Sequence, residues 1–91
     1  MEYNLSMSVS KSTVTIYSAT WCAFCHGAKQ YLDKLGVKYT DNDIESDQKY
    51  AKESVEKSQQ TGIPVIDIGG EIIVGFDRPK IDAALKAHQL I

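Results

Sequence analysis

The chain is short of several things that would each have pointed somewhere. Of its 91 residues only two are cysteine, two proline and one tryptophan. Two cysteines do not make the four, six or eight of a disulfide scaffold. No uninterrupted apolar stretch approaches the roughly 20 residues that span a bilayer, so no membrane partner is expected. Met1-Glu2-Tyr3-Asn4 lacks the basic and apolar regions of a signal peptide, which makes the cytoplasm the expected location. Neither sign of charge dominates: 10 Lys and Arg against 12 Asp and Glu give a net charge of −2. With no basic run and no stripe of lysines and aromatics, nucleic acid is not an expected partner. Internal repeats, linkers and low-complexity segments are also missing. A chain this short buries one modest core, so one domain is expected.

What is present is concentrated around the two cysteines. They stand in Trp21-Cys22-Ala23-Phe24-Cys25, directly after an apolar β-type run and directly before a helical one. Two thiols separated by two residues at a helix start can close a small disulfide ring with little backbone movement. The unpaired N–H groups and positive dipole end of the helix favour a thiolate on the first of them. In the reducing cytosol a structural disulfide does not persist, so a lone C-x-x-C is catalytic or metal-binding. Zinc needs four ligands, and the other good candidates, His26 and His88, lack finger-like spacing, so no metal site is expected. The pair therefore reads as redox-active, with Cys22 the exposed attacking thiol and Cys25, about one helical turn in, the resolving thiol.

Residues 1–12 are polar and without periodicity, and read as a flexible leader to a domain over 13–91. Thr13–Ser18 alternates and is rich in β-formers, which predicts the first strand. From Ala23 to Leu35 the residues Ala28, Tyr31, Leu32 and Leu35 recur at helical spacing, and Gly36 stands where a left-handed C-terminal cap belongs. Val37-Lys38-Tyr39-Thr40 predicts a second strand. The acidic segment Asp41–Asp47 then reads as a turn, with Ser46 as N-cap of a polar helix that runs to about Gln59 and buries Tyr50, Ala51 and Val55. Ile63–Ile68 is a strand opening on Pro64, Gly69-Gly70 a hairpin turn, and Glu71–Val74 its antiparallel return. Asp77 caps a last helix, with Pro79 in its first turn and Ile81, Ala84 and Leu85 on its buried face. The order β-α-β-α-β-β-α calls for a right-handed crossover between the first two strands and a mixed sheet. Tyr17 reads as core, His26 as a surface residue and Lys29 as solvent-facing. Arg78 is either solvated or a contact for an anionic partner.

Taken together, three separated signatures resemble the glutaredoxins: the C-x-x-C after the first strand, Ile63-Pro64 opening the third, and Gly75-Phe76-Asp77 before the final helix. Gly62–Gly70 followed by Ile73-Val74-Gly75-Phe76-Asp77-Arg78 is most similar to the small bacterial glutaredoxin-like proteins of the YruB type, close cousins of the NrdH redoxins. The resemblance covers nearly everything from Thr13 to Leu90. It implies a thioredoxin-like α/β fold, a four-stranded mixed central sheet flanked by helices. It also implies a cis bond before Pro64, which would pack against the cysteines and leave the Ile63 backbone to pair with a substrate.

The implied activity is thiol–disulfide exchange. Cys22 would attack a protein disulfide or a glutathione mixed disulfide, and Cys25 would resolve the product. The potentials of such proteins, near −200 to −230 mV, make the resting form in the cytosol a dithiol that acts as a reductase. Trp21, Phe24, Ile63, Pro64, Phe76 and Asp77 are the residues the resemblance places around the substrate or glutathione. The implied partners are disulfide-containing proteins and an electron source, either glutathione as co-substrate or a thioredoxin reductase. No bound cofactor is implied, and the protein is expected to be a monomer. Departures from the glutathione-using pattern leave the electron source open. Ala19 stands where those members commonly carry Lys, Ala23-Phe24 replaces Pro-Tyr, and Gly62 replaces Thr. An NrdH-like donor recharged by thioredoxin reductase stays as an alternative, and so does an iron–sulfur cluster shared by two copies with glutathione.

Overall fold

The computed structural model describes residues 12–91; residues 1–11, most of the expected leader, lie outside it. The elements are β1 (Val14–Ser18), α1 (Ala23–Leu35), β2 (Thr40–Asp43), α2 (Gln48–Ser58), β3 (Val65–Ile68), β4 (Glu71–Val74) and α3 (Arg78–Ala87). The order is the expected β-α-β-α-β-β-α.

The strands form one mixed sheet in the order β2-β1-β3-β4. β1 runs parallel to β2, with Thr15 opposite Thr40, and antiparallel to β3, with Ile16 opposite Ile66. β3 and β4 close an antiparallel hairpin through Gly69 and Gly70. Both glycines have positive φ, 60° and 97°, the geometry a two-residue hairpin turn demands.

Period-two alternation sorts the sheet residues onto two faces. Val14, Ile16, Ile66, Ile68 and Ile73 pack against Ala28 and Leu32 of α1 and Ile81, Ala84 and Leu85 of α3. Each fully buried Ile or Leu in this layer contributes about 1.5–3 kcal/mol. The opposite face receives α2. There Tyr17 is buried, donates its hydroxyl to Glu53 at 2.9 Å, and carries the Lys57 ammonium 5.0 Å from its ring centroid. Lys57 also pairs with Asp67 of β3 at 2.7 Å.

The structure moves four expected features. The second strand is Thr40–Asp43, not Val37–Thr40. Gly36 ends α1 in the left-handed region and its N–H, with that of Val37, bonds back to Asp33 and Leu32. Val37 is buried just past this cap, so Val37–Tyr39 carries the chain to the sheet edge before pairing begins. An edge strand faces water, which is why Thr-Asp-Asn-Asp suits it. The cap of α2 is Asp47, which accepts from the Lys49 N–H at 2.9 Å, while the Ser46 hydroxyl turns back to the Asp43 carbonyl. On α2 it is Ser54 that is fully buried; Tyr50 and Ala51 are partly covered and Val55 is exposed. Leu35, too, lies on the surface.

Candidate active site

α1 begins one residue after Cys22, so Cys22 is its N-cap. The Cys22 sulfur accepts the Cys25 backbone N–H at 3.2 Å, and the Cys22 carbonyl takes the His26 N–H. No acidic side chain occupies the first turn of α1, so nothing there neutralises the positive end of the helix. Both cysteines are free thiols.

Cys22, expected as exposed, is only 7% exposed, and Cys25 is fully buried. The reason is the cap itself: folding the side chain back over the helix end tucks it among Ala19, Ile44 and Ile63, which pack around the two cysteines. Cys22 keeps this slight exposure and Cys25 keeps none. Burial, reinforced by the adjacent Cys22 sulfur, pushes the Cys25 thiol up to about 12, against smaller opposing pulls from the Ala19 backbone and Lys29. The two sulfurs thus have different environments although they are three residues apart.

Ile63-Pro64 is the cis bond that the resemblance implied, and Pro64 is buried. The Gly75 N–H donates to the Pro64 carbonyl at 2.8 Å, which ties the Gly75-Phe76-Asp77 segment to this corner of the molecule. Asp77 caps α3, accepting from the Lys80 N–H at 3.2 Å, with the Lys80 ammonium 3.9 Å away. Phe76 is the one named residue that turns elsewhere. Its ring lies over Gly27, where an added Cβ would stand 3.1 Å from it, and leans on Tyr31 at a centroid distance of 5.9 Å. It therefore packs the flank of α1 and does not touch the cysteine cluster. Trp21 and Phe24, 66% and 71% exposed, rise on either side of Cys22 in sequence as the most exposed large apolar groups among the described residues.

Sequence reading missed several contacts that build this site. Ile44 was placed in a turn, yet its N–H donates to the Ser18 carbonyl and its side chain packs on the cysteines. Glu45 accepts the Trp21 indole N–H at 2.9 Å. Lys29 is not free in solvent but pairs with Asp41 at 2.8 Å. An apolar residue inside an acidic segment was the available signal for Ile44; the other two depend on where β2 begins. His26 is exposed as expected and holds the Thr20 carbonyl at 2.8 Å. A surface depression lined by Asp33, Gly36, Val37, Lys38 and Tyr39 is at the opposite end of α1 from the thiols. Among the described residues no group of three or more His, Cys, Asp or Glu side chains is arranged to hold a metal ion. None of the described helices is long and apolar enough to cross a membrane.

A thiol pair at a helix N-terminus, packed against Ile63 and set on a β2-β1-β3-β4 sheet, defines a redox protein of the thioredoxin fold. The glutaredoxin family model matches residues 14–73, and the chain belongs to the glutaredoxin family. Among its relatives is a glutaredoxin-like 8.6 kDa protein in the rubredoxin operon of Clostridium pasteurianum, 37% identical over 73 residues that cover 80% of this chain and 97% of that one. Glutaredoxin 3 of Escherichia coli is 32% identical over 66 residues, 72% of this chain and 80% of its own. The fold also matches glutaredoxin from Archaeoglobus fulgidus with a TM-score of 0.77 and 16% identity, over 93% of this chain and 99% of that one. A buckwheat glutaredoxin–glutathione complex matches with a TM-score of 0.70 and 23% identity, over 88% and 78% of the two chains.

Proposed function

We propose that this protein is a dithiol oxidoreductase that reduces protein disulfides or glutathione mixed disulfides through Cys22 and Cys25. The observation that carries the reading is the inequality of the two thiols. Cys22 keeps a slight exposure at an uncompensated helix N-terminus, while Cys25 is fully buried with its proton held tightly. Such a site has one sulfur ready to attack and one kept in reserve.

In the first step the Cys22 thiolate attacks one sulfur of the substrate disulfide. A Cys22–substrate disulfide forms and the other substrate sulfur leaves as a thiolate, which takes up a proton. Cys25 then loses its proton, attacks the Cys22 sulfur and releases the second substrate thiolate. The substrate gains two electrons and two protons, and the protein becomes the Cys22–Cys25 disulfide. Ile63 forms the wall beside the sulfurs with Pro64 next to it in the chain, Trp21 and Phe24 the exposed apolar flanks, and Asp77 a carboxylate at the edge. Phe76 supports the α1 flank and has no direct substrate role. The reading places the activity in residues 13–91 of a cytoplasmic monomer, with no resident cofactor.

Two electron sources would restore the dithiol: two molecules of glutathione as co-substrate, or a thioredoxin reductase as for NrdH redoxins. The second is favoured by the surface around the thiols. Ala19 is buried and apolar there, and the nearby Lys29 is already paired with Asp41, so neither offers a free cation to a glutathione carboxylate. NADPH-coupled reduction of the oxidised protein separates the two, run once with glutathione and its reductase and once with thioredoxin reductase. The thioredoxin reductase route is expected to be faster. A protein that neither system reduces contradicts the oxidoreductase reading.

A further inference from the structure

Trp21 is the most conspicuous side chain beside the thiols that the exchange chemistry leaves unused. It is two-thirds exposed, yet its indole N–H is bound at 2.9 Å by Glu45, 24 residues away. The loop that brings Glu45 there is itself pinned. The Ile44 N–H donates to Ser18 at 2.9 Å, and the Glu45 N–H donates to the Asp43 carboxylate at 2.8 Å. Ile44 packs into the cluster that surrounds Cys22 and Cys25.

Two adjacent pairs therefore close a ring. Trp21 and Cys22 are neighbours in the chain, and so are Ile44 and Glu45. Ile44 meets the cysteines by apolar packing, and Glu45 meets the indole by a hydrogen bond. An exposed tryptophan without such a contact samples several rotamers; this one is held by Glu45 at the position next to Cys22 in the chain.

The same clasp puts a carboxylate at the mouth of the site. Asp43 and Asp47 flank Glu45 along the chain and add negative charge, and Lys29 is spent on Asp41. Glutathione carries two carboxylates and one ammonium group, so it meets repulsion here. A neutral or cationic polypeptide stretch meets an aromatic surface and a favourable potential.

We propose that Glu45 is a positioning residue that holds the Trp21 indole beside Cys22 and, through its charge, biases the site toward disulfides in neutral or basic polypeptide segments over glutathione-sized anionic ones. This rests on the dithiol reading above and names the substrate class for that same site.

The test compares Glu45→Gln, which keeps an acceptor oxygen but drops the charge, with Glu45→Ala, which drops both. Two readouts are used. Acrylamide quenching of fluorescence reports the indole directly, because Trp21 is the only tryptophan in the chain. Steady-state kinetics are run on a basic peptide containing a disulfide and on a glutathione mixed disulfide. Glu45→Ala is expected to make Trp21 more quenchable and to raise KM for the basic peptide about three- to tenfold, with kcat within about twofold. Glu45→Gln is expected to leave quenching near that of the parent and to lower KM for the glutathione mixed disulfide about two- to fivefold. Unchanged quenching in Glu45→Ala overturns the clasp, and unchanged relative KM values in Glu45→Gln overturn the charge bias. A parent protein that turns over neither substrate contradicts the dithiol reading instead, and the quenching comparison still decides whether Glu45 holds Trp21.

Discussion

At the scale of single residues the chemistry turns on Cys22 and Cys25 at one helix start. Cys22, Ala23 and Phe24 precede a cysteine whose burial comes from the turn geometry itself: the N3 position of α1 points inward, toward Ala19, Ile44 and Ile63. Capping the helix with a sulfur in place of a hydroxyl or carboxylate satisfies the Cys25 N–H and leaves the sulfur at the dipole's positive end. Removal of either cysteine is expected to stop protein-disulfide turnover, but at different steps. Cys22→Ser takes away the attacking sulfur and drops disulfide reductase turnover by about a thousandfold or more. Cys25→Ser leaves the attack intact but strands the mixed disulfide, so protein-disulfide turnover stops after one equivalent. Coupled assays of the two variants beside the parent check both. The spacing of the cysteines was plain in the sequence. The near-burial of Cys22 was not, because it depends on Ile44, which arrives from a segment that reads as a polar turn.

At the scale of elements, caps and turns were legible and edges were not. Gly36, Asp77 and the Gly69-Gly70 hairpin each carry a local conformational requirement that one or two residues reveal, and all three stand where expected. β2 carries no such signature. Its ladder is one-sided and its residues are all polar, so Thr40–Asp43 resembles a loop until β1 is there to pair with it. The same difficulty hid the Asp47 cap and the Lys29–Asp41 pair. Asp77 lets a structural role and a binding role be separated, because asparagine caps a helix about as well as aspartate. Asp77→Ala is expected to lower the unfolding free energy by about 1 kcal/mol, and Asp77→Asn to leave it within a few tenths. Urea denaturation measures this directly. If the carboxylate also holds the ammonium of a glutathione mixed disulfide, Asp77→Asn raises KM for that substrate without the stability loss.

At the scale of the whole molecule the sheet divides the protein into two unequal halves. The α1 and α3 face is a continuous apolar layer that carries the redox corner on its rim. The α2 face is held by a polar set: Tyr17 with Glu53, and Lys57 with Asp67 and the Tyr17 ring. The apolar periodicity of α1 and α3 announced the first half. The second half was obscure because Ser54 and Lys57 fill α2 positions where a pattern reader expects Ala51 and Val55.

This arrangement makes the folded state vulnerable to alkali. Burial raises Tyr17, and burial with the neighbouring sulfur raises Cys25. Lys57 is raised too: partial burial works against its charge, but Asp67 and Tyr17 outweigh it. All three groups hold protons in the folded chain that the unfolded chain has already released. Stability is therefore full below the ordinary thiol range near 9, and falls as pH rises toward the folded-state values. The part due to Cys25 falls by about 1.4 kcal/mol per pH unit across that window. Cys25→Ser, which has no thiol proton to lose, is expected to show a shallower decline in denaturation midpoint between pH 9 and pH 11 than the reduced parent. Parallel declines would mean that Cys25 titrates alike in both states.

The central claim is that the sulfur of Cys22, and not that of Cys25, exchanges bonds with incoming disulfides. Its most direct measurement is mass mapping of the adduct formed when the Cys25→Ser variant meets an oxidised protein substrate. The expected result is one substrate chain per molecule, joined through the peptide that carries Cys22. A variant that forms no adduct, while the Cys22→Ser variant forms one through Cys25, would contradict it.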